Sequence, residues 1–142
     1  MPKRWSYEAT LILLLTVGFG LSFMDRANTS IMMPLIAEEF HPTYGEAGLA
    51  ISIVGFTWGA FIFFGGALSD RWGRRRVLIP ATLVYSTTQW LMGLTSSIHQ
   101  MIFTRGFMGA GEGTYLASCN PWVVEESKPT RRGLNIGIVY LG

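Results

Sequence analysis

The sequence predicts an all-α membrane protein with four transmembrane helices followed by the start of a fifth. Of its 142 residues, 49% are hydrophobic and 13% aromatic, whereas only 14% are charged, and 17 residues are glycine. A soluble domain of this size carries more charge. The apolar residues also form long stretches, and short polar connections between them hold most of the basic residues. Together these observations favour a chain that crosses a bilayer several times.

The apolar stretches give the approximate bounds of the helices. These are residues 8–37, 46–66, 76–97 and 100–124, and the start of a fifth helix at 133–142. A bilayer core about 30 Å thick requires roughly 20 helical residues, and each of the first four stretches reaches this length. The fifth is about half as long, so we expect residues 1–142 to form part of a larger helical bundle.

The first stretch follows a basic N-terminus and could be confused with a signal peptide. However, polar residues and then more apolar sequence follow Phe23, where a cleavage site with small residues would be required. We therefore predict an uncleaved first helix.

The basic residues indicate which side of the membrane each connection faces. They occur in the N-terminal tail and in the connections after helices two and four, whereas the other two connections contain no Lys or Arg. By the positive-inside rule, the N-terminus is cytoplasmic, and we expect a multi-pass protein of a bacterial inner membrane.

Several classes of function are disfavoured. The net charge is +2, but the basic residues form short clusters rather than one continuous face, so nucleic acid is not an expected partner. The single cysteine, Cys119, lies in an apolar stretch and is expected to serve packing, without a disulfide or a metal site. No nucleophile motif, phosphate loop or cofactor motif indicates an enzyme.

Four charged residues fall inside the predicted helices and away from their ends: Asp25, Arg26, Arg105 and Glu112. A charge near the bilayer centre costs at least about 2.5–3.5 kcal/mol, so such residues are expected to face a shared polar cavity. The spacing of Arg105, Gly109 and Glu112 places them on one stripe of helix four, which we expect to face this cavity.

Two interpretations of these charges remain open. An ion pair between Asp25 and Arg105 could only lock helix one to helix four. Alternatively, an anion could engage Arg26 and Arg105 while the carboxylates take up protons. Of the two carboxylates, Glu112 is the better candidate for a proton carrier, because no arginine is adjacent to it in sequence.

Residues 66–75 fit the pattern Gly-x-Leu-x-Asp-Arg-x-Gly-Arg-Arg, in a predicted cytoplasmic loop between helices two and three. This motif closely resembles the signature of the major facilitator superfamily, whose fold has six plus six helices. The resemblance implies a gating motif that helps to hold the two halves of a transporter together in the outward-open state. Its residues here are Gly66, Asp70, Arg71, Gly73, Arg74 and Arg75.

Two further segments, residues 23–30 and 105–113, resemble the anion:cation symporter branch of this superfamily. The resemblance covers the whole chain. It implies that Arg26 binds a substrate carboxylate, that Arg105 pairs with Asp25 or with substrate, and that Glu112 carries a proton. Glycine spacing from Gly109 to Gly113 also predicts close helix packing.

The chain departs from the branch at positions expected to face the cavity. Trp58 stands where many relatives have tyrosine or histidine, and Ile62 where many have glutamine. Trp58 is therefore a candidate substrate-binding residue or a packing aromatic. Ala117 and the pair Glu126 and Ser127 also differ from the branch. A less polar wall would leave the hydroxyls of a sugar acid without partners, so a more apolar carboxylate is an alternative substrate.

The resemblance implies a secondary transporter that moves a small organic anion together with protons by alternating access, with its C-terminal half beyond this chain. Alternatives are another substrate, sodium-coupled or facilitative transport, or a membrane sensor without transport. A seven-helix receptor disagrees with the predicted topology, because Asp70 and Arg71 follow helix two.

Overall fold

The structure of the chain, a computed structural model, describes residues 7–141. Every regular element in this range is α-helical, which confirms the predicted all-α class. The five helices are α1 (Tyr7–Phe40), α2 (Tyr44–Trp72), α3 (Arg74–Met92), α4 (Ile98–Glu126) and α5 (Arg132–Val139). Lys3 and Arg4, which contributed to the predicted orientation, lie outside the described residues.

The connection between α2 and α3 is much shorter than the predicted loop. Helix α2 continues to Trp72 and α3 begins at Arg74, so most of the motif is helical and only Gly73 separates the two helices. Gly73 has φ +92°, a conformation that glycine adopts without steric cost, and its N–H donates to the Ser69 carbonyl at 3.0 Å. The prediction of a loop across the motif was therefore wrong.

Within the described residues, two helices, α1 and α2, are long and apolar enough to span a membrane. Helix α3 begins with three arginines, and α4 contains four charged residues and four glycines, which lower their hydropathy. The 19 residues of α3 extend about 28 Å, close to the thickness of a bilayer core. That α3 and α4 also span the membrane remains a prediction.

Polar and apolar side chains are distributed in the opposite way to a soluble protein. Arg105 and Glu112 are each 3% exposed, whereas Phe56 and Phe63 are 78% and 77% exposed. In water such an apolar surface would drive aggregation. Next to lipid it is favourable, and the buried charges then avoid the acyl chains.

Helix α4 lies at the centre of the described bundle and packs closely on α2 and α3. Gly109 and Gly113 contact the backbone of α2 beside Val54 and Trp58, so the predicted glycine packing is confirmed. A Cβ at Gly111 would lie 2.9 Å from the backbone nitrogen of Tyr85 on α3. Gly109 therefore faces α2 rather than the cavity, contrary to the predicted stripe. The prediction failed because the close approach of α2 covers this part of α4.

The buried cysteine fits the predicted packing role. Cys119 is fully buried in the apolar core, where its neighbours include Met108, Tyr115 and Val123. Its thiol is free.

Candidate functional site

An ion pair between α1 and α4 forms the centre of the candidate site. The Arg26 guanidinium donates to Glu112 Oε2 from Nε at 2.8 Å and from Nη2 at 2.5 Å. The Glu112 side chain is only 2% exposed, whereas that of Arg26 is 36% exposed. No arginine is adjacent to Glu112 in sequence, but α1 brings Arg26 across to it in the folded chain.

Trp58 supplies the second contact of Arg26. The guanidinium carbon lies 4.9 Å from the centre of the indole ring, within the range of a cation–π interaction. Trp58 is on α2, so the side chain of Arg26 is held by residues of two other helices. Sequence analysis expected Trp58 to face the cavity, and the structure places it beside the predicted anion-binding arginine.

A pocket of about 330 Å³ opens next to this ion pair. Five of its nine lining residues are aromatic. The lining consists of Phe19, Ser22, Phe23, Arg26, Trp58, Glu112, Tyr115, Leu116 and Tyr140. Its size and its mixture of aromatic walls with a few polar groups are typical of a small-molecule site. Ile62, expected to face the cavity, is outside this lining and packs beside Gly113.

Arg105 is buried away from the pocket and connects three helices. From α4, its Nε donates to the Ala50 carbonyl of α2 at 2.6 Å, and its Nη1 donates to Thr29 Oγ1 of α1 at 2.5 Å. The Thr29 hydroxyl in turn donates to the Asp25 carbonyl at 3.3 Å. Within residues 7–141, Arg105 forms no ion pair with Asp25, so the expected direct contact is not present in this conformation.

Asp25 is turned towards α3. Its Oδ1 accepts a hydrogen bond from Gln89 Nε2 at 2.8 Å, while its buried Oδ2 has no partner among the described residues. Successive residues of an α-helix point about 100° apart, so the adjacent Asp25 and Arg26 cannot face the same partner. The four predicted charges therefore form two groups. Arg26 and Glu112 line the pocket, and Asp25 and Arg105 lie behind it.

Sequence reasoning missed Gln89 and Thr29. Gln89 places an amide within α3, directly after Ser86, Thr87 and Thr88, and this was the available signal. Thr29 gave a weaker one, because threonine hydroxyls commonly bond to the carbonyl four residues earlier, as Thr29 does here. Both residues matter because they bind the buried charges that the sequence did identify.

Gln89→Leu is expected to lower the stability of the folded protein by about 1–3 kcal/mol, because it leaves the buried Asp25 carboxylate without its donor. Thermal unfolding of the full-length protein in detergent would measure this loss. In an Asp25→Ala background the same change should cost less than about 0.5 kcal/mol, since the group that needs the amide is gone. An equal cost in both backgrounds would contradict a Gln89–Asp25 interaction.

The gating motif forms a separate polar cluster at the opposite end of α4. Arg74 donates to Asp70, to Glu125 Oε1 at 3.2 Å and to Ser69 Oγ at 3.4 Å. This cluster joins the end of α2, the start of α3 and the end of α4.

The remaining arginines of the motif differ from Arg74 in their contacts. Arg71 and Arg75 form no ion pair with another described residue. Gly66 lies near Ala117 of α4. The gating role of the whole motif, including these residues, stays a prediction.

Within residues 7–141, no group of three or more His, Cys, Asp or Glu side chains could hold a metal ion. The pocket lining supplies one arginine, one carboxylate, a serine hydroxyl and the tyrosine hydroxyls.

Comparison with known proteins connects this site to a family. Residues 15–142 match the family model described as Major Facilitator Superfamily. No solved structure gave a significant match to the chain.

Several curated relatives are named as transporters of anions or organic acids. A probable sulfoacetate transporter of Cupriavidus necator is 28% identical, over 100% of this chain and 34% of its own length. The hexuronate transporter of Bacillus subtilis is 30% identical, over 93% of this chain and 31% of its own. A probable chloroplast anion transporter of rice is 32% identical, over 99% and 24%. The chain thus spans about a third or less of the length of these relatives. Because the family model matches most of its residues, the chain belongs to the major facilitator superfamily.

Proposed function

We propose that this chain is part of the N-terminal six-helix bundle of a secondary active transporter, which moves a small organic anion together with protons by alternating access. The substrate class is supported by relatives named as sulfoacetate, hexuronate and ascorbate transporters. The proposal includes four membrane-spanning helices, α1 to α4, and a facing half that completes the substrate site.

The ion pair of Arg26 and Glu112 is the observation that carries this proposal. Arg26 is the cation that lines the pocket, and both of its hydrogen bonds go to a carboxylate that is almost fully buried. An anion that binds Arg26 competes with Glu112 for the guanidinium. Once displaced, a carboxylate in an apolar site is stabilised by taking up a proton. Anion binding and protonation of Glu112 thereby favour each other, which is the requirement for symport.

Asp25 is a second candidate for proton coupling. Its buried Oδ2 has no partner within residues 7–141, so the ionised form is incompletely stabilised. Arg105 would respond indirectly, because Thr29 connects it to the backbone of Asp25. Direct binding of substrate by Arg105 would require a conformation in which its side chain reaches the pocket.

The location proposed is a bacterial inner membrane with a cytoplasmic N-terminus. In support, the motif arginines cluster at one end of α2 and α3, while the acidic Glu38, Glu39 and Glu46 lie at the opposite end of α1 and α2. The first side would be cytoplasmic by the positive-inside rule. Two plant relatives are named as chloroplastic.

Uptake into proteoliposomes that contain the full-length protein tests the proposal. Labelled sulfoacetate, glucuronate and benzenesulfonate would be supplied as separate substrates, with an inward proton gradient, an inward sodium gradient or no gradient. We expect the proton gradient to accelerate uptake of at least one anion. Glu112→Gln should remove this acceleration, because its amide cannot cycle a proton, whereas Glu126→Gln should retain it, since Glu126 lies exposed at the end of α4.

A sodium-coupled mechanism is a second candidate, because one relative, 29% identical, is named as a sodium-dependent phosphate transport protein. Acceleration by the sodium gradient alone would favour it and contradict proton symport. Uptake that follows neither gradient, with Glu112→Gln unchanged, would indicate facilitative transport and remove the proposed role of Glu112.

A further inference from the structure

The pocket beside Arg26 offers one positive group and few other polar groups. Within the described residues, Arg26 Nη1 makes no hydrogen bond, whereas Nε and Nη2 are bound to Glu112. Nη1 therefore keeps donor capacity in reserve, and Arg26 belongs to the pocket lining. Arg26 is the cation in the lining and Glu112 is its counterion. This wall thus suits a ligand with one anionic group rather than several.

The hydroxyl groups of the lining provide little further polarity. Tyr115 donates its hydroxyl proton to the Leu15 carbonyl at 3.0 Å, so it cannot donate to a ligand. Tyr140 accepts a hydrogen bond from Asn120 at 2.8 Å and keeps one donor. Ser22 supplies the remaining hydroxyl. A ligand with four or five hydroxyls would leave most of them without a partner on this wall, which weakens its binding.

The apolar part of the wall is built from aromatic faces and edges. The Trp58 ring lies against the guanidinium, and the rings of Phe19 and Tyr140 meet edge to face with their centres 5.0 Å apart. Phe23 is 64% exposed and adds a further ring. Flat apolar bodies gain stacking and edge-to-face contacts with such rings. A sugar acid can lay the C–H face of its ring on such side chains, but its hydroxyls gain no hydrogen bonds from them.

We propose that this pocket selects an anion with a single carboxylate or sulfonate on a compact, planar and largely apolar body, in preference to a polyhydroxylated sugar acid. The anionic group binds Arg26, and the body lies against Trp58, Phe19 and Tyr140. Trp58 is the specificity-determining residue, because its indole contacts Arg26 and forms part of the apolar wall. This inference rests on the proposed function and narrows its substrate class.

The test compares uptake of benzenesulfonate and glucuronate, each at the same low concentration, by the full-length protein in proteoliposomes. Benzenesulfonate keeps its charge at all working pH values and so does not leak through lipid as a neutral acid. We expect it to enter at least about tenfold faster than glucuronate, a ratio within reach of an apolar pocket. Trp58→Gln should lower this ratio by about tenfold through lost aromatic contact. Trp58→Phe should retain the preference.

Trp90→Gln is the matched control, because Trp90 is 70% exposed on α3 and lies outside the pocket lining. It should leave the ratio unchanged. Glucuronate uptake equal to or faster than that of benzenesulfonate in the unmodified protein would overturn the inference while supporting anion transport. The same holds if Trp58→Gln folds and leaves the ratio unaltered. Failure of every anion to enter, sulfoacetate included, would overturn both this inference and the proposed function.

Discussion

Arg26→Ala is expected to lower anion uptake by the full-length transporter by about 100-fold or more. Removing one partner of a buried, hydrogen-bonded charge pair costs about 2–5 kcal/mol, which corresponds to a factor of roughly 30 to several thousand. The lost group here is the cation that lines the pocket and the proposed partner of the substrate anion. Initial rates of labelled anion uptake in proteoliposomes, corrected for the amount of inserted protein, would measure the change.

The experiment must separate binding from folding, because Arg26→Ala also leaves Glu112 buried without a counterion. The double variant Arg26→Ala/Glu112→Gln removes both charges and should recover thermal stability, yet it should not recover uptake. Arg26→Lys keeps the charge but has a compact ammonium group in place of the planar fork, so we expect an intermediate loss. Recovery of uptake in the double variant would show that Arg26 only neutralises Glu112.

The fold class could be predicted from the sequence because the bilayer imposes length and hydropathy on each helix. Stretches such as residues 46–66 can therefore be recognised as helices from their own length and composition, without knowledge of the helices that pack against them. The positions of the helix ends are determined less well by the sequence than the existence of the helices. The prediction ended helix two at Gly66, whereas α2 runs on through the polar residues to Trp72, where Gly73 can supply the turn. Charged residues in a short connection between two helices are compatible with either a loop or a helix end.

The members of the candidate site could also be identified, because ionisable residues inside apolar stretches are rare and costly. Which of these residues form pairs could not be predicted. Whether Glu112 meets Arg26 or stands alone depends on the rotation of α1 relative to α4, and a single sequence does not specify this angle. The hydrogen bond from Gln89 to Asp25 depends in the same way on the position of α3. The sequence therefore identifies the residues of the candidate site more reliably than it identifies their contacts.

For Arg105, the family resemblance and the structure lead to different expectations. Resemblance to the anion:cation symporters implies that it binds Asp25 or substrate. In the structure, its donors bind the Ala50 carbonyl and the Thr29 hydroxyl, and the side chain is outside the pocket. A guanidinium that bonds to two neighbouring helices acts as a structural connection between them. We therefore expect its loss to affect folding before it affects substrate affinity.

Arg105→Leu is accordingly expected to lower the stability of the folded protein by roughly 2–5 kcal/mol, since it leaves the Ala50 carbonyl and the Thr29 hydroxyl without their donor, at about 1–3 kcal/mol each, and removes a cation near the buried Asp25. The midpoint of thermal unfolding in detergent would measure this, and Arg105→Leu/Asp25→Asn should regain part of the loss. Thr29→Val removes one of the two bonds of Arg105 and should cost less. Unchanged unfolding of Arg105→Leu, combined with loss of uptake, would favour the sequence-based hypothesis that Arg105 binds the substrate directly. A parallel fall in stability and uptake, reversed together by Asp25→Asn, would instead show that Arg105 supports the site through the packing of α1, α2 and α4.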